Sequence, residues 1–113
     1  LVQSLTYVSS FQAISATGAK PVACDVDSET LCLDWKDAEK RMTPNTKAVM
    51  PVHYAGGVGA LNQIYAFAEK YGLRVIEDAA QSMGSQCVYQ KNIYKRRGLR
   101  RGCDVIPFMI GQN

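Results

Sequence analysis

The segment RVIEDAAQSMGS, residues 74 to 85, begins apolar, closes on two acids, Glu77 and Asp78, and turns away through small and polar residues that include Gln81. Upstream, TKAVMPVHY (46 to 54) is a second apolar run, ending beside the only histidine of the chain, His53. Ionisable groups at the ends of buried-looking runs sit at the edge of a core. There they can cap the chain that follows or serve a site. For Asp78 the plain role is the cap of the next turn or helix, which short acidic side chains fill well. For His53 it is a structural hydrogen bond, and for Gln81 a solvent-facing turn amide. Metal chemistry has little to work with: Cys24, Cys32, Cys87 and Cys103 form no Cys-x-x-Cys pair, and one histidine cannot complete a set. The four read as free thiols, with disulfides as the lesser alternative.

Whether His53 and Asp78 meet depends on the elements that carry them. KPVACDV (20 to 26) reads as a strand leading into the turn DSET, and DWKDAEKRM then starts on Asp34, a good helix N-cap, with Lys40 and Arg41 at its basic end. TKAVMPVHY is the second strand, released by AGGVG. Leu61, Ile64, Tyr65 and Ala68 then recur at helical spacing, with Gly72 placed to end the helix. LRVIED supplies a third strand. Strands and helices alternating over short connections predict an α/β fold, with parallel strands between 20 and 78 and helices packed on them. Antiparallel pairing of 22–25 with 49–52 would contradict that reading. In such sheets function gathers at the carboxyl ends of the strands, where His53 and Asp78 fall. Exposed sheet edges would also favour self-association.

The composition bounds the rest. A chain of 113 residues, 47% apolar and 20% charged, fits one domain or part of one, and no apolar stretch is long enough to span a bilayer. LVQSLTYVSS has neither the basic-then-apolar pattern of a signal peptide nor an initiating Met, so a cytoplasmic protein whose start lies upstream is expected. Residues 1 to 90 carry 7 basic and 9 acidic side chains, residues 91 to 113 carry 6 and 1. The basic KNIYKRRGLRRG (91 to 102) reads as a solvated loop or anion-facing surface rather than a nucleic-acid patch, since no binding motif surrounds it.

TYVSSFQAISATGAKPVACDVD, MTPNTKAVMPVHYAGG and RVIEDAAQSMGS together resemble the DegT-type sugar-nucleotide aminotransferases, pyridoxal phosphate enzymes of the fold-type I aspartate aminotransferase superfamily. The resemblance runs from residue 5 to about 86, and its specific part is PVHYAG followed by EDAAQ. It implies that the chain is part of the large domain of that fold, a mainly parallel sheet with flanking helices, and that the cofactor is pyridoxal 5'-phosphate. It implies that Asp78 faces the ring nitrogen and keeps it protonated, that Tyr7 stacks on the ring, that Gln81 approaches the phenolic oxygen, and that His53 supports the cofactor site. Without the resemblance, Tyr7 would be a core tyrosine at a helix start. Glu77 has no assigned role beyond a structural one.

The resemblance also implies a lysine for the internal Schiff base, expected just after Asn113, because GCDVIPFMIGQN is similar to the strand that precedes it, with Asp104 and Phe108 in register. Met109 stands where a phosphate-binding serine is usual, the basic stretch 90 to 102 is longer than the family connection, and the phosphate-binding turn would precede Leu1. Residues 1 to 113 therefore read as a single incomplete domain. The activity implied is transfer of an amino group from glutamate to a keto-sugar nucleotide for cell-surface polysaccharide, lipid A or antibiotic sugars, in a cytoplasmic homodimer with no nucleic-acid or membrane partner. The alternative is a non-catalytic remnant, or a small α/β binding module with a basic tail.

Overall fold

The computed structural model describes residues 1 to 82 in full and, beyond them, the backbone of three strands. In chain order the elements are β1 (Val2–Gln3), α1 (Val8–Ala16), β2 (Ala23–Cys24), α2 (Trp35–Lys40), β3 (Ala48–Val49), a 3-10 turn (Tyr54–Gly56), α3 (Leu61–Tyr71), β4 (Arg74–Asp78), β5 (Gln86–Tyr89), β6 (Asn92–Lys95) and β7 (Cys103–Ile106).

β1 pairs with β2, β3 with β4 and β4 with β7, all parallel, while β5 and β6 form an antiparallel hairpin. A parallel bridge from Val2 to Met50 joins the first pair to the rest, and another from Val52 to Asp78 carries the β3–β4 register to its end. The order β2-β1-β3-β4-β7 is thus one parallel array, as the alternating pattern predicts. Residues 22–25 and 49–52 do not pair antiparallel, because β1 lies between their strands. The chain leaves β1 for β2 on one side and returns through α2 to β3 on the other. The order therefore reverses between β1 and β3, the position beyond whose strand ends open α/β sheets generally bind ligands.

The helices end where their residues dictate. The Asp34 carboxylate accepts from the Lys36 N–H at 2.9 Å, capping α2. Gly72, at φ 64° in the left-handed region, closes α3. On one face of the sheet, Cys24, Val49 and Val75 pack against Leu33 and Ala38 from the α2 side and Ile64, Phe67 and Ala68 from α3. The helical stripe is shifted from the expected one. Phe67 joins Leu61, Ile64 and Ala68 in the interior, while Tyr65 is half-buried at its border. Cys24 and Cys32 are buried and not disulfide-bonded, as expected, and burial pushes the Cys24 thiol above its ordinary range. The side chains of Cys87 and Cys103 lie outside the described residues.

One glycine fixes how the 50s loop rests against the loop between β2 and α2. Gly59 has φ +55°, and a Cβ built on it would stand 2.6 Å from Cys32 Cβ. Gly59→Ala therefore meets both left-handed strain and a backbone-anchored clash. It is expected to cost roughly 2 to 4 kcal/mol in chemical denaturation. A variant within about 0.5 kcal/mol of wild type, the scatter of neutral surface changes, would show that the loop does not seat there.

Candidate functional site

β4 sends its two acids to opposite faces, as alternation along a strand requires. Asp78, 6% exposed, turns toward α1, where Ser10 Oγ donates to its Oδ2 at 2.8 Å. The Ala80 N–H donates to Oδ1 at 3.2 Å, so Asp78 also caps the turn that follows it. The cap expected of Asp78 is thus present, beside a buried contact to α1. A carboxylate offers about four acceptor positions, so two donors leave it able to accept another.

Glu77 turns toward α3. Its Oε2 lies 2.7 Å from His53 Nε2, and its Oε1 accepts from the Tyr65 hydroxyl. His53 is completely buried, and its Nδ1 is the one buried side-chain nitrogen or oxygen without a hydrogen-bond partner among the described residues. With Glu77 ionised it can only accept, so Nε2 carries a hydrogen, and in the neutral imidazole Nδ1 is then a bare acceptor. The structure thus brings His53 and Asp78 to neighbouring strand ends, but not side chain to side chain. Their link is through backbone, the His53 N–H donating to the Asp78 carbonyl at 3.0 Å.

Gln81 is exposed and ties the two loops together. Its Oε1 accepts from the Ala55 N–H at 2.6 Å, at a residue whose φ of 52° lies in the left-handed region. A backbone N–H needs an oxygen, so the amide's NH₂ end is turned away from that contact. Tyr7 is the N-cap residue of α1 and is 66% exposed, so it is not a core tyrosine. It lies one helical turn before Ser10, whose N–H donates to the Tyr7 carbonyl.

Four residues at these contacts were given no site role from the sequence. Ser10 is 1% exposed and holds Asp78, and Thr6 Oγ1 lies 2.8 Å from Ser10 Oγ. Tyr65 completes the Glu77 contact. Gln3, buried at the end of β1, accepts on Oε1 from the Leu33 N–H at 3.0 Å and the Val52 N–H at 2.9 Å, and donates from Nε2 to the Leu5 carbonyl at 2.8 Å. For Ser10 a signal existed: two hydroxyls four residues apart, Thr6 and Ser10, share a face at a helix start. For Gln3 none did, since a glutamine near a chain terminus reads as solvated.

Met109 and Phe108 lie outside the described residues, as do the basic stretch 96 to 102 and the side chain of Asp104. Among the described residues no helix is long and apolar enough to cross a membrane, and no group of three His, Cys, Asp or Glu could hold a metal ion.

Comparison with known proteins now places this arrangement. Residues 1–102 match the DegT/DnrJ/EryC1/StrS aminotransferase family. Among solved structures, DesV from S. venezuelae is 40% identical, over 72% of this chain and 22% of that one, with a TM-score of 0.69. NtdA from Bacillus subtilis, solved with bound cofactor PMP, is 34% identical over 74% and 20%, with a TM-score of 0.70. DesI, solved in the presence of its TDP-sugar product, is 33% identical over 80% and 23%, with a TM-score of 0.72. The chain spans about a fifth of the length of these structures. Its parallel array with flanking helices is part of the large domain of the pyridoxal phosphate fold-type I aminotransferases. With a match covering nearly all of its length, this chain belongs to the DegT/DnrJ/EryC1/StrS aminotransferase family.

Proposed function

We propose that residues 1 to 113 are one incomplete domain, the part of a pyridoxal 5'-phosphate-dependent sugar aminotransferase that holds the cofactor's ring. The observation that carries this reading is Asp78. It is a buried carboxylate on the last residue of a central parallel strand, fixed by Ser10 and Ala80 and with acceptor capacity to spare. These residues fit the cofactor. Its pyridine nitrogen needs an anionic acceptor, its ring a flat apolar face, and its phenolic oxygen a donor. Asp78, the ring of the exposed Tyr7 and the outward NH₂ of Gln81 are groups of those kinds. When bound, the cofactor supplies an electron sink for the substrate carbon from which a proton is removed.

The chain's own residues then have separate tasks. Asp78 holds a proton on the ring nitrogen by charge and hydrogen bonding. Tyr7 fixes the ring plane and excludes water from one side. Gln81 donates to the phenolic oxygen while Ala55 keeps its amide from turning over. His53 supports from behind, its backbone N–H fixing the end of β4 and its imidazole anchoring Glu77. The lysine for the covalent bond lies outside these residues. The amino donor is glutamate and the acceptor a keto-sugar nucleotide, in a cytoplasmic homodimer. DesI, seen with a TDP-sugar product, supports the acceptor class.

The protein containing this segment, incubated with the cofactor and glutamate alone, is expected to release about one equivalent of 2-oxoglutarate per site, as a ping-pong cycle requires. Adding a TDP-keto-sugar should make release continuous. Continuous release only with an acceptor that is not a sugar nucleotide would remove the proposed substrate class, and no release at all would remove the reaction.

A further inference from the structure

The Ser10 hydroxyl has one hydrogen, and its contact with Asp78 settles where that hydrogen goes. An ionised carboxylate only accepts, so Ser10 Oγ donates to Asp78 Oδ2 at 2.8 Å. Ser10 must then accept from Thr6, whose Oγ1 lies 2.8 Å away. The result is a directed chain, Thr6 to Ser10 to Asp78, buried at Ser10 and ending on the carboxylate. Successive hydroxyl bonds polarise one another in one direction, and the last donor is strengthened by the charge it meets. Ser10 is also the only buried residue of α1. The helix is thus seated at this point by a polar contact, and the first turn of α1 also carries Tyr7, whose carbonyl accepts from the Ser10 N–H at 3.1 Å.

We propose that Ser10, backed by Thr6, is a positioning residue that fixes the Asp78 carboxylate in one rotamer and locks it to the helical turn bearing Tyr7. The partner of the ring nitrogen and the face that sets the ring plane are thereby held as one unit. This rests on the cofactor role proposed above for Asp78. With Oδ2 engaged by the hydroxyl and Oδ1 taking only the 3.2 Å contact from Ala80, the carboxylate cannot swing about its Cβ–Cγ bond without breaking the stronger of its two bonds. A carboxylate free to rotate would meet the ring nitrogen for only part of the time.

The test uses the protein that contains this segment and pyridoxamine 5'-phosphate labelled at its ring nitrogen, a probe that forms no covalent bond to a lysine. Two quantities are read: affinity by titration, and the ring-nitrogen resonance, which distinguishes the protonated from the free pyridine. Wild type should bind saturably with the ring nitrogen protonated. Ser10→Ala should weaken binding about tenfold, the value of one hydrogen bond to a charged group, and shift the resonance toward the free pyridine. Ser10→Thr, which keeps the hydroxyl, should restore both. Ser10→Cys, near in shape but a poor donor, carries the same expectation as alanine should alanine unfold the chain by circular dichroism. A protonated resonance and wild-type affinity in Ser10→Ala or Ser10→Cys, with both lost in Asp78→Ala, would overturn the positioning role and leave the cofactor reading standing. Wild-type behaviour in Asp78→Ala, or no saturable binding by wild type, would overturn the cofactor reading and this inference with it.

Discussion

Asp78→Ala, in the protein that contains this segment, is expected to lower transamination by roughly 10² to 10³-fold, the loss typical of a single preorganised electrostatic group, while the fold persists. The ring nitrogen would lose the anion that keeps it protonated, and the substrate carbon its electron sink. The structural cost is limited, because alanine leaves the Ser10 hydroxyl and the Ala80 N–H without their acceptor at a surface turn where water can reach Ala80. Asp78→Asn separates charge from shape: it keeps an oxygen for Ser10 or Ala80 but no negative charge. It should track the alanine variant in activity and wild type in thermal stability. Near-normal turnover in either variant, with the cofactor bound, would show that Asp78 is a cap and nothing more.

The strand ends bearing this site were legible because each strand announces itself by an uninterrupted apolar run, and each run stops where the chain leaves the core. TKAVMPVHY and LRVIED therefore place His53 and Asp78 at the correct ends of β3 and β4, and Asp34 and Gly72 mark helix ends by local chemistry alone. The direction in which the side chains point was not legible. His53 and Asp78 look like partners in sequence, yet alternation along β4 puts His53 with Glu77 and Tyr65 on the α3 side and leaves Asp78 to Ser10 on the α1 side. Seeing that requires the β3–β4 register, which no local pattern states. Two elements escaped for a related reason. β1 is two residues long, and α1, VSSFQAISA with a serine as its only buried side chain, lacks the apolar stripe by which helices are read.

The largest stability effect is expected at Gln3. Its Oε1 takes the N–H groups of Leu33 and Val52, and its Nε2 reaches the Leu5 carbonyl, so one buried side chain joins β1 to the loop before α2 and to the end of β3. That is the point where the strand order reverses, and there the backbone of Leu33 and Val52 must turn away from the ladder without losing its partners. Gln3→Leu keeps the volume and adds apolar area, yet it leaves two buried N–H groups and one carbonyl unsatisfied. Each such group costs about 1 to 3 kcal/mol, and one leucine's transfer into the core returns about 2 kcal/mol. The net loss should be roughly 1 to 7 kcal/mol, with a midpoint of about 4, a large share of the roughly 5 to 15 kcal/mol that a domain commonly has. Chemical denaturation measures the total, and amide hydrogen exchange locates it: Leu33 and Val52 should lose protection ahead of Ile64 and Phe67 in α3. A Gln3→Leu protein with an unchanged midpoint and both amides still protected would mean that other groups hold the two strands at the reversal, and that the glutamine fills space there without bridging it.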